Sequence, residues 1–347
     1  MGQDGLEIIP EALTVDFCMQ FRIPKIEGLD KCVNLQRLLL RKNLITRIEG
    51  IQNCPNLVEL ELYDNRIAKI ENIEHLSKLE VLDLAFNSIK EVTPGSLDGL
   101  TSIKKLFLSA NKIKKMQGLE KLVSLETLDM GDNKIRKMEG MDTLVNLKEL
   151  HLAKNKLQFI ENIGHLKSVY MLTLQANFIT EISGLEELPD LEQIYFQQNQ
   201  IKAISGLENL KKLEIIDLAV NQIEKIEGIE ACGETLEELW INNNKIANFE
   251  DVEYLGKATK KLDNLYIASN PVYARNQVFK DKVKAAIPHL NQLEGCPFDR
   301  PTYYIQQPSD VKSIVKKGIN PKAKAILEDI LGAEAAKDYE KQQEEGQ

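Results

Sequence analysis

The sequence places an acid, a base and a hydroxyl at equal intervals in the middle of the chain. Asp129, His151 and Thr173 are each 22 residues apart and occupy the same position in three similar segments. These residue types could activate a hydroxyl for nucleophilic attack if they met in space. Neither an oxyanion loop nor a sharp turn at the threonine accompanies them in the sequence. The pattern therefore favours a role other than catalysis for the position that they share.

That shared position carries aromatic and acidic residues along most of the chain. Four of its eleven occupants are aromatic, although aromatic residues make up only 6% of the chain, four are acidic, and none is lysine or arginine. Tryptophan and tyrosine are enriched among the residues that dominate protein interfaces, and acids beside them favour a basic or mixed partner surface. Glu238, two residues before Trp240, would extend the set. The occupants are Leu39, Glu61, Asp83, Phe107, Asp129, His151, Thr173, Tyr195, Asp217, Trp240 and Tyr266.

An alternative interpretation of the aromatic residues is structural. Strands favour aromatic side chains in any case, and neighbouring exposed rings can simply cover one another. This alternative does not explain the acids interleaved in the same column, so we predict a binding surface for a protein partner. The predicted partner-binding residues are Asp83, Phe107, Asp129, His151, Tyr195, Asp217, Glu238, Trp240 and Tyr266.

The segments are eleven copies of one repeat, L-x-x-L-x-L-x-x-N-x-I. Most copies are 22 residues apart, and the other spacings are 24, 23 and 26. The alternating leucines are typical of a half-buried strand, and parallel stacking of such strands buries a core that no single copy could bury. The sequence thus predicts an α/β fold, a curved leucine-rich repeat solenoid with a concave parallel sheet and a convex side of turns, short 3-10 segments or helices. The repeated asparagines are Asn43, Asn65, Asn87, Asn111, Asn133, Asn155, Asn177, Asn199, Asn221, Asn244 and Asn270.

Two further repeated positions predict structural roles. An asparagine amide both donates and accepts, so the asparagine ladder should satisfy backbone groups in the turn after each strand. A second position holds glycine, or asparagine at Asn72 and Asn162, and predicts a left-handed bend. Cys32, Cys54 and Cys232 stand where other copies have leucine and should be core residues. The glycines are Gly50, Gly118, Gly140, Gly184, Gly206 and Gly228.

The repeat also divides the chain into four parts. Residues 1–34 form an N-terminal cap with a degenerate repeat, in which Cys18 keeps the register and Phe21 replaces the asparagine. Residues 35–272 hold the repeats, and residues 273–298 form a C-terminal cap that begins with a helix. Residues 299–347 are predicted to be a helical extension.

Composition restricts the class of partner and the compartment. The 347 residues have a formal net charge of −9, which argues against nucleic acid as the main partner. No apolar run is long enough for a membrane helix, and the start of the chain lacks a secretory signal pattern. Five cysteines without a C-x-x-C pair favour a reducing compartment, the nucleus and cytoplasm. The four histidines are scattered, so we expect no metal or other cofactor, and we expect a monomer before partner binding.

Several segments resemble a known family, the regulatory subunit seven family of type-one protein phosphatase. The resemblance rests on RIPKIEGL, LRKNLITRIE, LYDNRIAKIEN and the LEELWINNN–LDNLYIASNP pair, and it covers roughly residues 13–297. It implies a non-catalytic protein whose concave face binds the catalytic subunit of the phosphatase, often together with a small inhibitor protein. The contacts that it implies fall on Asp83, Phe107, Asp129, Asp217, Glu238, Trp240 and Tyr266.

This chain departs from the family at His151, where the family tends to have an aromatic residue, and in a two-residue loop insertion near Pro94. Two other functions stay open from the sequence. One is a different repeat adaptor, such as a ciliary, microtubule or spliceosomal scaffold that uses the same face. The other is an enzyme centred on His151.

Overall fold

The computed structural model describes residues 8–18 and 21–298, and it shows a parallel solenoid built from short strands. Each strand except the last two has three residues and a buried central residue, because alternate residues of the repeat face the core and the surface. The strands are β1 (Thr14–Asp16), β2 (Arg37–Leu39), β3 (Glu59–Glu61), β4 (Val81–Asp83), β5 (Lys105–Phe107), β6 (Thr127–Asp129), β7 (Glu149–His151), β8 (Met171–Thr173), β9 (Gln193–Tyr195), β10 (Ile215–Asp217), β11 (Glu238–Trp240), β12 (Asn264–Tyr266), β13 (Gln292–Leu293) and β14 (Cys296–Pro297).

The strands form one sheet in chain order. Neighbours from β1 to β13 pair in parallel, so that Leu38 lies beside Leu60 and Leu60 beside Leu82. The pair β13 and β14 is antiparallel and ends the sheet. The leucines and isoleucines of successive turns form a single buried cluster, as the repeat predicts. Cys54 and Cys232 are buried within it, and burial raises the pKa of both thiols to about 11.

The asparagine ladder is confirmed as structural. At Asn133 the side-chain oxygen accepts a hydrogen bond from the N–H of Ile113 at 2.9 Å, and the amide donates to the carbonyls of Leu108 and Met130, each at 3.0 Å. Each asparagine therefore joins its own turn to the preceding turn, and the same pattern recurs from Asn43 to Asn270. These bonds satisfy backbone groups that leave the strand ladder.

The predicted left-handed bend is also confirmed. Gly50 has φ of +74° and Asn72 has φ of +61°, and the other glycines of this position are similar. Asn72 fits because its amide donates to the carbonyl of Ile48 at 2.7 Å.

A second left-handed position was not predicted. The residue before each ladder asparagine has positive φ, including Phe86 at +54° and Val220 at +56°. No glycine marks this position in the sequence, so composition gave no signal for it.

The structure corrects the register of the first turn. Asn43 donates to the carbonyl of Phe17, as Asn65 donates to that of Leu40, so Phe17 and not Cys18 is the core-register residue. One extra residue between Phe17 and Ile23 causes the shift. Residues 1–7, 19, 20 and 299–347 lie outside the described part of the chain, and with them the predicted helical extension.

The side of the solenoid opposite the sheet consists mainly of tight turns. In the described residues the single 3-10 segment is Glu230–Cys232. Helix α1 (Glu250–Ala258) fills the longest repeat and was not predicted, although the 26-residue spacing leaves room for it. Helix α2 (Gln277–Ala286) is the predicted helix after the last repeat. Neither helix has the length and apolar character needed to cross a bilayer, nor does any other helix of the described residues.

Candidate functional site on the outer sheet face

The strand pairing brings the predicted residues into one line. The first and third residues of strands β2 to β12 point away from the core, and we call the surface that they form the outer sheet face. Register pairs run from Asp83 to Phe107, from Phe107 to Asp129 and from Asp129 to His151. Farther along, Tyr195, Asp217, Trp240 and Tyr266 are likewise consecutive register partners. Neighbours in this column are about 4.8 Å apart along the sheet.

The side chain of Trp240 is held in place by one polar neighbour, Glu238, and one aromatic neighbour, Tyr266. Its indole N–H donates to the carboxylate of Glu238 at 2.9 Å, and its ring lies 4.7 Å from that of Tyr266 with an interplanar angle of 46°. The Tyr266 ring in turn lies against Gly295, where an added Cβ would come within 3.0 Å of the phenolic oxygen. Both rings remain partly exposed. They present a fixed apolar surface, with little side-chain freedom left to lose on binding.

The aspartates of the column also bind the backbone. Asp83, Asp129 and Asp217 each accept a hydrogen bond from the N–H two residues later, at 2.9, 2.9 and 3.0 Å. This bond stabilises the end of the strand, so aspartate at this position has a local structural reason as well as a possible binding role. Only one carboxylate oxygen of each aspartate, Oδ1, takes part in this bond.

Asp217 differs from the expectation that it points freely toward a partner. It is only 1% exposed, and its register neighbours on the two sides are Tyr195 and Trp240. Burial raises the pKa of Asp217 to about 6, against the opposing effect of the Ala219 N–H bond. Burial likewise raises the pKa of Asp83 to about 6, but Asp83 stays partly exposed. Asp217 therefore lies in the column between the aromatic residues but is too buried to contact a partner directly.

The acid, base and hydroxyl of the middle repeats do not assemble as a triad. His151 Nδ1 lies 3.1 Å from the hydroxyl of Thr173, but its Nε2 faces Glu149 at 3.5 Å and not Asp129. Glu149 also accepts a short hydrogen bond from the hydroxyl of Tyr170. The outcome is a polar network across three strands, and sequence reasoning missed Glu149 and Tyr170 in it. Among the described residues, no cluster of three metal-binding side chains occurs.

A groove at the first turns of the solenoid was also missed. It encloses about 640 Å³ and is lined by Asp83 and Tyr63 together with Arg41 and Glu61, which form an ion pair. The Tyr63 ring packs against Phe86 at a centroid distance of 5.0 Å. Phe86 is exposed in left-handed geometry, so an aromatic pair borders this end of the face. Tyr63 lies two residues after the aromatic and acidic column position, where most other copies of the repeat have a small residue such as Ala85 or Ser109. That difference is the signal in the sequence.

Comparison with known proteins agrees with the geometry. A leucine rich repeat family profile matches residues 55–113 and 77–135, and a profile of two leucine rich repeats matches residues 33–75 and 189–231. A leucine-rich repeat protein of Leptospira interrogans superimposes with a TM-score of 0.62, at 27% identity over 76% of this chain and 74% of that one. The protein is a leucine-rich repeat solenoid. An internalin of Listeria monocytogenes shows the same fold, with a TM-score of 0.66, 24% identity and coverage of 82% of this chain and 87% of the internalin.

One curated relative carries a functional name. This leucine-rich repeat protein is 36% identical over 63 residues to protein phosphatase 1 regulatory subunit SDS22 of Schizosaccharomyces pombe. The match spans 18% of this chain and 19% of the relative. Leucine-rich repeat families of this kind are typically non-catalytic scaffolds for protein interactions.

Proposed function

We propose that this leucine-rich repeat protein is a regulatory scaffold that binds the catalytic subunit of a type-one protein Ser/Thr phosphatase through the outer sheet face. The observation that carries the proposal is the Trp240–Tyr266 pair, a partly exposed aromatic surface fixed by Glu238 at one end of an acidic column. The name of the yeast relative and the resemblance of the repeats support the phosphatase as the partner. Binding would control the activity, maturation or location of the enzyme in the nucleus and cytoplasm.

The binding energy would come mainly from the aromatic end of the face. Rings that are already packed and hydrogen-bonded lose little freedom on association, and such anchors usually dominate an interface. The partly exposed acids Asp83 and Asp129, farther along the column, would select a basic or mixed surface on the partner. A small inhibitor protein could join the complex without competing for the same column.

The partner is tested with purified components. Isothermal titration of the phosphatase catalytic subunit into the full chain should give a complex of one molecule each. Tyr195→Ala should weaken it about tenfold, because the substitution uncovers Asp217 and removes one ring of the column. The matched control is Val123→Ala, which truncates an exposed apolar residue that belongs neither to a strand nor to the column.

Absence of any heat of binding from the wild-type chain would contradict the phosphatase assignment. Equal weakening by Tyr195→Ala and Val123→Ala would keep the phosphatase as the partner but would contradict the outer sheet face as the binding surface. Circular dichroism of each variant would show whether the fold is retained.

A further inference from the structure

A cluster of basic side chains lies on one flank of the solenoid, away from the outer sheet face. It consists of the first, third and fourth residues after two consecutive ladder asparagines, Asn111 and Asn133. We call this cluster the basic flank, and all of its side chains are exposed. Its members are Lys112, Lys114, Lys115, Lys134, Arg136 and Lys137.

The members stack in register from turn to turn. The backbone N–H of Lys112 donates to the carbonyl of Ile89 at 2.8 Å, and the N–H of Lys134 donates to that of Ile113 at the same distance. Lys156 repeats this bond to Ile135 and extends the column by one turn. Successive turns are about 5 Å apart, so the positive charges are closely spaced along the solenoid.

The basic flank lacks the ion pairs that other basic residues of this protein make. Lys104 pairs with Glu80 at 2.9 Å, Lys148 with Glu126 at 2.7 Å and Lys212 with Asp190 at 2.6 Å. Within residues 8–18 and 21–298, no carboxylate forms an ion pair with any of the six members of the basic flank. Unpaired like charges repel one another, and the repulsion is strongest at low salt. A chain with a net charge of −9 therefore keeps a concentrated positive surface at a cost in stability.

Two of the three basic columns continue into an exposed phenylalanine. Phe178 follows Lys156 in the first column, and its N–H makes the same backbone bond, to Leu157 at 2.8 Å. Phe159 follows Lys137 in the neighbouring column, one turn farther along. The two rings are 48% and 56% exposed. The surface is therefore positively charged at one end and apolar at the other, so that a bound segment would have one preferred orientation.

We propose that the basic flank and these two phenylalanines bind an acidic segment of a partner protein, with the acidic residues on the lysines and an apolar side chain on the rings. This surface is separate from the outer sheet face, and the proposal does not rest on the phosphatase assignment. A short acidic segment is confined to the flank, whereas a long nucleic acid would extend onto a surface that is acidic overall. The position of the rings at one end, and not between the basic residues, also favours a peptide over stacked bases.

The test uses fluorescence anisotropy with a labelled peptide of about twelve residues, rich in glutamate and ending in phenylalanine, which when extended is longer than the three turn spacings from Lys112 to Phe178. The full chain should bind this peptide and not its glutamine counterpart, and raising the salt from about 50 to 150 mM should weaken binding severalfold. The triple variant Lys114→Glu, Arg136→Glu, Lys137→Glu should bind at least about tenfold more weakly. Its matched control, Lys202→Glu, Lys245→Glu, Lys261→Glu, changes the net charge equally at exposed positions elsewhere and should change binding by less than about twofold.

Three results would overturn the proposal. They are no binding of the acidic peptide, equal loss of binding in the two folded triple variants, and tighter binding of a single-stranded RNA of the same charge. A fourth outcome concerns the chain's own acidic end. If Glu340→Gln, Glu344→Gln, Glu345→Gln in the full chain strengthens peptide binding severalfold, the occupant is that end of the chain and not a partner.

Discussion

Asp217 illustrates how a residue of the predicted column serves the site without facing the partner. Asp217 is buried, and its register neighbours are Tyr195 and Trp240. Its carboxylate accepts a hydrogen bond from the N–H of Ala219. Glu238 has a comparable role, because it orients the indole of Trp240. Near the aromatic end, Glu238 therefore positions a ring and Asp217 stabilises the end of its strand, and the partly exposed acids Asp83 and Asp129 are left for contact with a partner.

Replacing the buried carboxylate should stabilise the protein at neutral pH. The folded pKa of Asp217 is raised to about 6 from 3.8, so the folded state binds its proton more tightly than the unfolded state does. Its contribution to stability is therefore present below about pH 4 and is lost as the pH rises through 6. Asp217→Asn keeps an oxygen for the Ala219 N–H and should raise the free energy of unfolding at pH 7 by about 1–2 kcal/mol.

Urea unfolding of both proteins at pH 7 and pH 4 measures this effect. The difference between wild type and Asp217→Asn should become small near pH 4, where the aspartate is protonated in the folded state and partly protonated in the unfolded state. Asp129→Asn is the control, because its side chain is partly exposed and makes the same local bond. If Asp217→Asn instead destabilises the protein at pH 7, the ionised carboxylate of Asp217 stabilises the fold and the prediction is wrong.

At the scale of elements, the repeat predicted the strands, the asparagine ladder and the glycine bends, because each has its own residue type. The sequence did not predict the second left-handed position, since Lys42, Phe86 and Val220 all adopt it and share no chemistry. Helix α1 was also missed, because it replaces a turn in a single copy of the repeat. The column was predictable from alternation alone, whereas the burial of Asp217 depends on which rings flank it.

The left-handed glycines differ in how closely the preceding turn packs against them, and alanine substitutions at Gly28 and Gly50 test this difference. An alanine Cβ at Gly50 would lie 2.2 Å from the carbonyl oxygen of Ile26, whereas one at Gly28 would meet nothing within 4 Å. Both residues have left-handed φ, so Gly28→Ala should cost about 1–2 kcal/mol of unfolding free energy. Gly50→Ala should cost more than about 3 kcal/mol, because the clash adds to the backbone strain.

Gly50→Asn should cost less than Gly50→Ala, since its amide could bond the Ile26 carbonyl as Asn72 bonds that of Ile48. Urea unfolding of the three variants gives the order. Equal costs for Gly28→Ala and Gly50→Ala would mean that the turns are not packed as closely as this geometry requires.

At the scale of the whole molecule, the repeat produces two surfaces of opposite character from one register. The outer sheet face is acidic and aromatic, and the basic flank lies only a few residues farther along each turn. A solenoid allows this because each position of the repeat becomes a continuous column, and each column can vary without disturbing the core. The two surfaces should therefore act independently. The triple variant Lys114→Glu, Arg136→Glu, Lys137→Glu should leave binding at the outer sheet face unchanged.

The most direct test of the central claim is the affinity of Trp240→Ala for the phosphatase catalytic subunit, measured by isothermal titration beside wild type and Val145→Ala. Val145 is an exposed apolar residue outside the strands and serves as the control. The account predicts a loss of about 2–4 kcal/mol of binding free energy for Trp240→Ala, with an unchanged circular dichroism spectrum, and little change for Val145→Ala. Wild-type affinity in a folded Trp240→Ala variant would contradict the account.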